Sequence, residues 1–243
     1  METPSIMALA RQISVQHEMD AIANNIANAN TTAYKADRIT FNSYLAQPPG
    51  VSSMSSMVFP KLASPYRETR EGTIATTGNP LDVAIRGEAY FVVDTPQGQR
   101  FTRNGHLGID TTGRLVAPGG QPILDDNSRP IVVPQGSGEI TISTDGSVST
   151  GTQRLGKIRL VAFADPQVLQ RTGAGLYTAG TAVPQTAQNV EIAQGSLEGS
   201  NIEPILEMTR MMENARAYEQ AQKIVTTEDD RMRRGIEMLG KVA

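Results

Sequence analysis

His17 and His106 are the only histidines in this chain of 243 residues, and there is no cysteine. Thiolate metal sites, disulfides and cysteine nucleophiles are therefore excluded. A metal centre would need both histidines or a cluster of carboxylates. His17, Glu18 and Asp20 are near neighbours in sequence, and on a helix that spacing scatters them around the axis. No metal or other cofactor is expected. Asp110-Thr111-Thr112-Gly113 approaches the loop of an aspartic protease, but it carries an extra residue and has no second copy. A turn after a strand accounts for it. Gly173-Ala174-Gly175 opens a glycine-rich pattern without the strand–turn–helix unit that phosphate binding requires. Glu228-Asp229-Asp230, followed by Arg231, Arg233 and Arg234, reads as a solvated helix face with pairs three and four apart. No constellation supports catalysis or a small-molecule substrate.

The other polar residues at telling positions are amides. Asn24 and Asn28 share a helical face and Asn25 lies beside them. A carboxamide both donates and accepts, so such a row can fix register between subunits. Asparagines also cap and end helices, and both readings stand at this point.

These amides lie near the end of the first of two elements with helical periodicity. Ile6, Leu9 and Ile13 form a stripe that restarts in another phase at Met19, Ile22 and Ile26, predicting a helix from residue 3 to about 29. At the other end, Met208, Met211, Ala215, Tyr218, Val225, Met232, Ile236 and Leu239 follow one another along a single seam, flanked by Met212 and interrupted only by Gln222 and Asp229. Asn201 is the candidate N-cap of this helix, with Pro204 in its first turn. An apolar stripe needs a partner surface, because a lone amphipathic helix is marginal in water. Pairing within one monomer leaves part of the longer helix bare, by about three turns. The phase change in the first helix also points its apolar side chains in two directions. These residues and the three asparagines are therefore the candidate subunit interface.

Between the helices, short apolar runs alternate with turn signals. Leu81, Val83 and Ile85 alternate, and Tyr90 to Val93 is a continuous run suited to a strand buried on both faces. Asn104-Gly105 and Asp145-Gly146 are two-residue hairpin signals, Thr112-Gly113 and Gly119-Gly120 mark further turns, and Lys157 to Phe163 predicts another strand. The expected fold class is α+β: a discontinuous, coiled-coil-like helical layer with a central all-β, hairpin-rich domain. The expected divisions are 1–46 for the first helix and a short amphipathic piece carrying Tyr34, Phe41, Tyr44 and Leu45, 47–71 for a Pro/Ser-rich linker or arm, 72–193 for the β domain, and 194–243 for the last helix. The formal net charge is −3, with both signs interspersed, so nucleic-acid binding is not expected. No run approaches the roughly 18 apolar residues of a membrane span, and no secretory signal is readable at the N-terminus.

Several blocks resemble one family. Ala23-Asn24-Asn25-Ile26-Ala27-Asn28, followed by Thr31-Thr32-Ala33-Tyr34-Lys35, is similar to the N-terminal signature of bacterial flagellar rod and hook proteins. Thr77-Gly78-Asn79-Pro80-Leu81-Asp82-Val83-Ala84-Ile85, Phe101-Thr102-Arg103-Asn104-Gly105, Gln194-Gly195-Ser196-Leu197-Glu198, Ser200-Asn201-Ile202 and Arg216-Ala217-Tyr218-Glu219 resemble further blocks in the same order. Modest length and a single β domain suit a rod subunit, the proximal rod first and the distal rod as the alternative. The resemblance implies a structural subunit of the periplasmic rod, a tube built with other axial proteins. It also implies passage through the flagellar type III export apparatus without a cleaved signal. The terminal helices would line the channel, remaining unordered until neighbours cover them. Two positions depart from the pattern: Ala33 and Ala89 stand where the family usually has glycine. The competing reading is an extracellular binding module whose helices merely brace a ligand-binding β domain.

Overall fold

A computed structural model of the chain describes residues 3–40, 42–46, 57–61, 65–151 and 153–240. The chain divides into two compact units, which share neither their sequence segments nor their architecture. One comprises residues 1–27, 37–66 and 203–243, the other 28–36 and 67–202.

The first unit is built on two helices, α1 (Thr3–Ala27, 25 residues) and α2 (Pro204–Gly240, 37 residues). Pro204 opens α2, where its missing N–H costs nothing, and Glu207 lies in the first turn, where a carboxylate suits the helix dipole. The two helices pack against each other. Asn25, near the end of α1, bonds Glu207 at the start of α2, so they run antiparallel. The same unit holds a two-stranded ladder, Asn42–Ala46 against Met57–Lys61, in the register Asn42↔Lys61 to Ala46↔Met57. The expected amphipathic piece and arm are thus in part a hairpin. Phe41 and residues 47–56 and 62–64 of the arm lie outside the described residues.

Among the described residues the regular elements of the second unit are strands, apart from one 3-10 turn at Pro166–Val168. Its largest sheet has six strands in the order Gln170–Gly173, Leu176–Thr178, Gly98–Thr102, Tyr90–Thr95, Leu160–Ala162 and Gln185–Thr186, and its recorded pairings are antiparallel. The run Tyr90 to Val93 is buried on both faces, as its continuous apolar character predicts. Phe91 and Val93 enter one core cluster with Ile85, Leu115, Ile123 and Ile158, while Tyr90 and Val92 enter another with Phe101 and Phe163. Strand Val83–Arg86 pairs with Glu191–Gln194, and Ile74–Thr76 with Ser196–Glu198.

Three local expectations need correcting. Asp145-Gly146 does join two paired strands, with Gly146 at φ +88°, but Asn104-Gly105 does not. Strand Gly98–Thr102 pairs with Tyr90–Thr95 and Leu176–Thr178, and the Asn104 side chain accepts the His106 N–H, making a local turn instead of a hairpin. Lys157 to Phe163 is not one strand, because Gln153–Lys157 and Leu160–Ala162 belong to different sheets. Asn201 is not the cap of α2. Its buried side chain accepts the Ala36 N–H and donates to the carbonyls of Glu68 and Arg70.

Candidate functional site

The helical unit places its side chains against the usual rule. On α1 the buried positions are Ala8, Ser14, Val15, Ile22 and Asn25, and on α2 they are Glu207, Asn214 and Ala221. Ala8, Val15 and Ile22 recur every seven residues, as do Glu207, Asn214 and Ala221, so each set lies along one line of its helix. Most of that seam is small or polar. The larger apolar side chains are outside: Leu9 is 52% exposed, Ile13 47%, Met232 44% and Ile236 70%, and Met208 and Met212 are exposed as well. Of the other apolar candidate interface residues whose side chains are described, Met19, Ile26, Met211, Ala215, Tyr218 and Val225 are half-buried and Ile22 is enclosed. The side chains of Ile6 and Leu239 lie outside those described.

The three asparagines separate. Asn24 is exposed and Asn28 half-buried, but Asn25 is enclosed and bonded within its own chain. Its Nδ2 donates to the Asp37 carbonyl at 2.9 Å, and its Oδ1 accepts the Asp37 N–H at 3.0 Å. The same Nδ2 reaches Glu207 Oε2 at 3.4 Å. Glu207, wholly buried, accepts on Oε1 from Arg38 at 2.6 Å and from Arg210 at 3.0 Å. This polar knot clamps the end of α1 to the start of α2 and is satisfied internally. The seven-residue recurrence of Glu207, Asn214 and Ala221 was present in the sequence, hidden by the stronger apolar stripe beside it.

The β unit holds a second buried knot. Glu198 Oε1 accepts from Lys35 Nζ at 2.5 Å and from the Gly72 N–H at 3.1 Å, while Oε2 accepts from Arg103 Nε at 2.9 Å. Arg103 Nη1 donates to the carbonyls of Gly87 and Ala89, and Lys35 Nζ donates to that of Arg70. Burial pushes the Glu198 carboxyl up, but Arg103 and then Lys35 outweigh it, and the net shift is downward. Burial, then repulsion from Arg103, pulls the Lys35 ammonium below its ordinary value despite the attraction of Glu198. A lysine, a glutamate and an arginine in contact resemble catalytic machinery. Here each is bonded to protein partners, and the three side chains are almost wholly buried.

A cleft of about 310 Å³ in the β unit is lined by Ala33, Tyr34, Arg171, Leu176 and Tyr177 among others, with no carboxylate or histidine. Its one cation, Arg171, stacks on the Tyr34 ring with 4.1 Å to the centroid and donates to the Tyr34 hydroxyl and the Lys35 carbonyl. Among the described residues no group of three or more His, Asp or Glu is placed to hold a metal ion. No described helix is long and apolar enough to cross a membrane.

Comparison with known proteins agrees with this picture. Residues 8–35 match the family model for flagella basal body rod protein, residues 84–150 the flagellar hook protein FlgE/F/G D1 domain, and residues 193–238 the flagellar basal body rod FlgEFG protein C-terminal region. The flagellar basal-body rod protein FlgF of Caulobacter vibrioides is 36% identical over the whole of both chains. FlgF of Mesorhizobium japonicum is 35% identical over 90% of each. The flagellar basal-body rod protein FlgG of Bacillus subtilis is 34% identical, covering 88% of this chain and 90% of its own. With its helix-borne apolar surface and its saturated polar knots, the chain belongs to the flagellar basal-body rod protein family and is most like the members named FlgF.

Proposed function

We propose that this chain, a structural subunit of the basal-body rod and not an enzyme, builds the proximal part of that rod through α1 and α2. The two helices of each copy pack into a tube with those of neighbouring copies and other axial proteins, enclosing the export channel and carrying torque. The chain reaches its place in the periplasm through the flagellar type III apparatus without loss of a signal segment.

The observation that carries this reading is the inversion of the helical unit. Covering an exposed Leu, Ile or Met contributes roughly 1.5–3 kcal/mol. Leu9, Ile13, Met208, Met212, Met232 and Ile236, each 44–70% exposed, therefore leave part of that energy to be gained by covering them. A helix pair that merely braced a binding domain would place its larger residues the other way round.

The test is a chain ending at Glu228, examined in purified basal bodies. It retains the Asn25–Glu207 knot and the β unit, and should keep its fold by circular dichroism yet be missing from the rod, with loss of motility. Incorporation at the wild-type level would overturn the proposal. Gold labelling along the rod axis separates a proximal position from the distal one that the FlgG likeness suggests.

A further inference from the structure

Sulfur is confined to one part of this chain. There is no cysteine, and all ten methionines fall within residues 1–27, 37–66 and 203–243, the segments of the helical unit. The β unit has none, and its two core clusters are built from aliphatic and aromatic side chains. The methionines of the helices are not core residues either. Met7, Met208, Met212, Met232 and Met238 are exposed, and Met19 and Met211 are half-buried. Cysteine and tryptophan are both absent, so these thioethers are the groups on which a two-electron oxidant acts.

Met208 and Met212 stand apart by position. They are four residues apart in α2, which makes their side chains neighbours on one face. Ile205, three residues before Met208, is 83% exposed and extends the same stripe. That face lies well round the helix from Glu207 and Asn214, which are enclosed in the seam with α1. Met208 is 52% exposed and Met212 57%, so both side chains are open to small solutes. Among the described residues, no other two exposed methionines share a helical face at this spacing.

We propose that Met208 and Met212 form a sulfoxidation site for oxidants of the peroxide class, and that the oxidised chain is excluded from the rod. The proposal rests on the rod reading above and adds a chemical condition for entry. With hydrogen peroxide, a sulfur lone pair attacks one oxygen, so an S–O bond forms as the O–O bond breaks. Hydroxide leaves and takes up the proton of the transferred oxygen, giving water. Each sulfur loses two electrons and the peroxide gains them.

The product is a polar side chain with an oxygen that accepts hydrogen bonds and no group that donates one. In the free chain that oxygen points to water, so α2 keeps its fold. On a face covered during assembly the same oxygen is buried, and a buried polar atom without a donor is disfavoured. Two of them one turn apart place that penalty in a single patch. The polar seam inside the unit and the sulfur-free β unit are untouched, so the oxidation acts on association and not on folding. Methionine sulfoxide reductases, one for each epimer, reverse the step and with it the exclusion.

The test begins with the purified chain and hydrogen peroxide. Peptide mass spectrometry should find one added oxygen on Met208 and on Met212 before the less open Met19 or Met211 gains one. Circular dichroism of the oxidised chain should match that of the reduced chain. A pair that stays reduced while Met19 or Met211 oxidises, or a loss of helical signal, overturns the proposal. Two double variants then read the consequence in purified basal bodies. Met208→Gln with Met212→Gln puts a polar oxygen at each position on a side chain of similar length. Its incorporation should fall roughly tenfold or more, as expected for polar atoms buried without partners. Met208→Leu with Met212→Leu keeps the face apolar, resists oxidation and should enter the rod at the wild-type level. Wild-type incorporation of the Gln variant overturns the proposal. So does exclusion of both variants, which would show that the face reads shape and not polarity. After a peroxide pulse, wild-type chain recovered from rods should carry less sulfoxide at these two positions than free chain from the same cells, and equal content overturns the proposal. Absence of the unmodified chain from basal bodies is the separate signature that the rod reading has failed.

Discussion

Lys35 Nζ lies 2.5 Å from Glu198 Oε1, and the two side chains are almost wholly enclosed. They are 163 residues apart in sequence, Lys35 just beyond the turn that follows α1 and Glu198 in the strand shortly before α2. Their contact, with Arg103 on the other carboxylate oxygen, closes the β unit at the two points where the chain departs to its helices. Removing one member of such a set leaves buried charge uncompensated, which typically costs about 3–5 kcal/mol. Glu198→Ala should lower the stability of the β unit by that amount, read from chemical unfolding of the isolated chain. Glu198→Gln, which still accepts from one donor, should lose less. Equal stability of Glu198→Ala and wild type would show that the knot contributes nothing.

The same residues set the pH response. The Glu198 carboxyl is held below its ordinary value of 4.5, so the folded state binds its proton less readily than the unfolded state. Its stabilisation is therefore complete above pH 4.5 and is lost as pH falls through the folded value. Lys35 is also lowered, from 10.5, and for a cation this means that burial disfavours the charged form. Stability from Lys35 thus rises with pH between its folded value and 10.5. Thermal unfolding should show a loss on the acid side of pH 4.5 that Glu198→Gln flattens. An unchanged acid limb in that variant would assign the loss to other carboxylates.

Asn25 is the amide whose loss should be felt most in the helical unit. Both ends of its side chain bond the Asp37 backbone, and Nδ2 also reaches the buried Glu207. Asn25→Ala removes both bonds to the half-buried Asp37 backbone and the donor that reaches the enclosed Glu207 carboxylate, a loss of about 1–3 kcal/mol. Amide hydrogen exchange in the last two turns of α1 should accelerate while exchange in the β unit stays unchanged. Asn24→Ala, on the exposed side, is the comparison and should not accelerate exchange as Asn25→Ala does. Faster exchange in both variants would mean that this end depends on its asparagines generally and not on the knot at Asn25, since alanine by its propensity alone would slow exchange.

The α+β class, the two helices and the double-faced strand at Tyr90 to Val93 were legible because apolar periodicity reports burial directly. Even the bare end of α2 was legible, since the stripe outruns α1. The inner seam was not. Glu207 and Asn214 are polar, and a reading that seeks apolar stripes passes over a buried carboxylate whose partners, Asn25 and Arg38, are remote in sequence. Lys35, Arg103 and Glu198 were invisible for the same reason: three charged residues on separate segments carry no local signal of burial. Ala33 and Ala89 both stood out as departures from the family's glycines, but only Ala33 has a positive φ, +56°. Sequence marks such a position without saying whether backbone freedom or lack of space is at stake.

Lack of space governs Gly105. A Cβ there would fall 1.6 Å from the Val83 carbonyl oxygen and 2.8 Å from its carbon, both backbone atoms. The approach is fixed by the Val83 N–H, which donates to the Gly105 carbonyl at 2.9 Å, and by the bridge between Asp82 and His106. His106 Nδ1 and Asp82 Oδ1, 2.7 Å apart, close the same corner. No side-chain rotation relieves the clash, so strand Val83–Arg86 or the loop must move. The Val83 side chain is fully buried in the main core, and displacing it loosens its neighbours. Overpacking of a side chain costs about 1–3 kcal/mol, and a backbone collision lies at or above the top of that range. Gly105→Ala should therefore unfold at least about 6 °C earlier than wild type, at roughly 2–4 °C per kcal/mol for a domain of this size. Gly138→Ala, where the added methyl meets nothing within 4 Å, should leave the midpoint within about 2 °C. Matching midpoints for the two variants would show that the contact between residues 83 and 105 is looser than 1.6 Å implies.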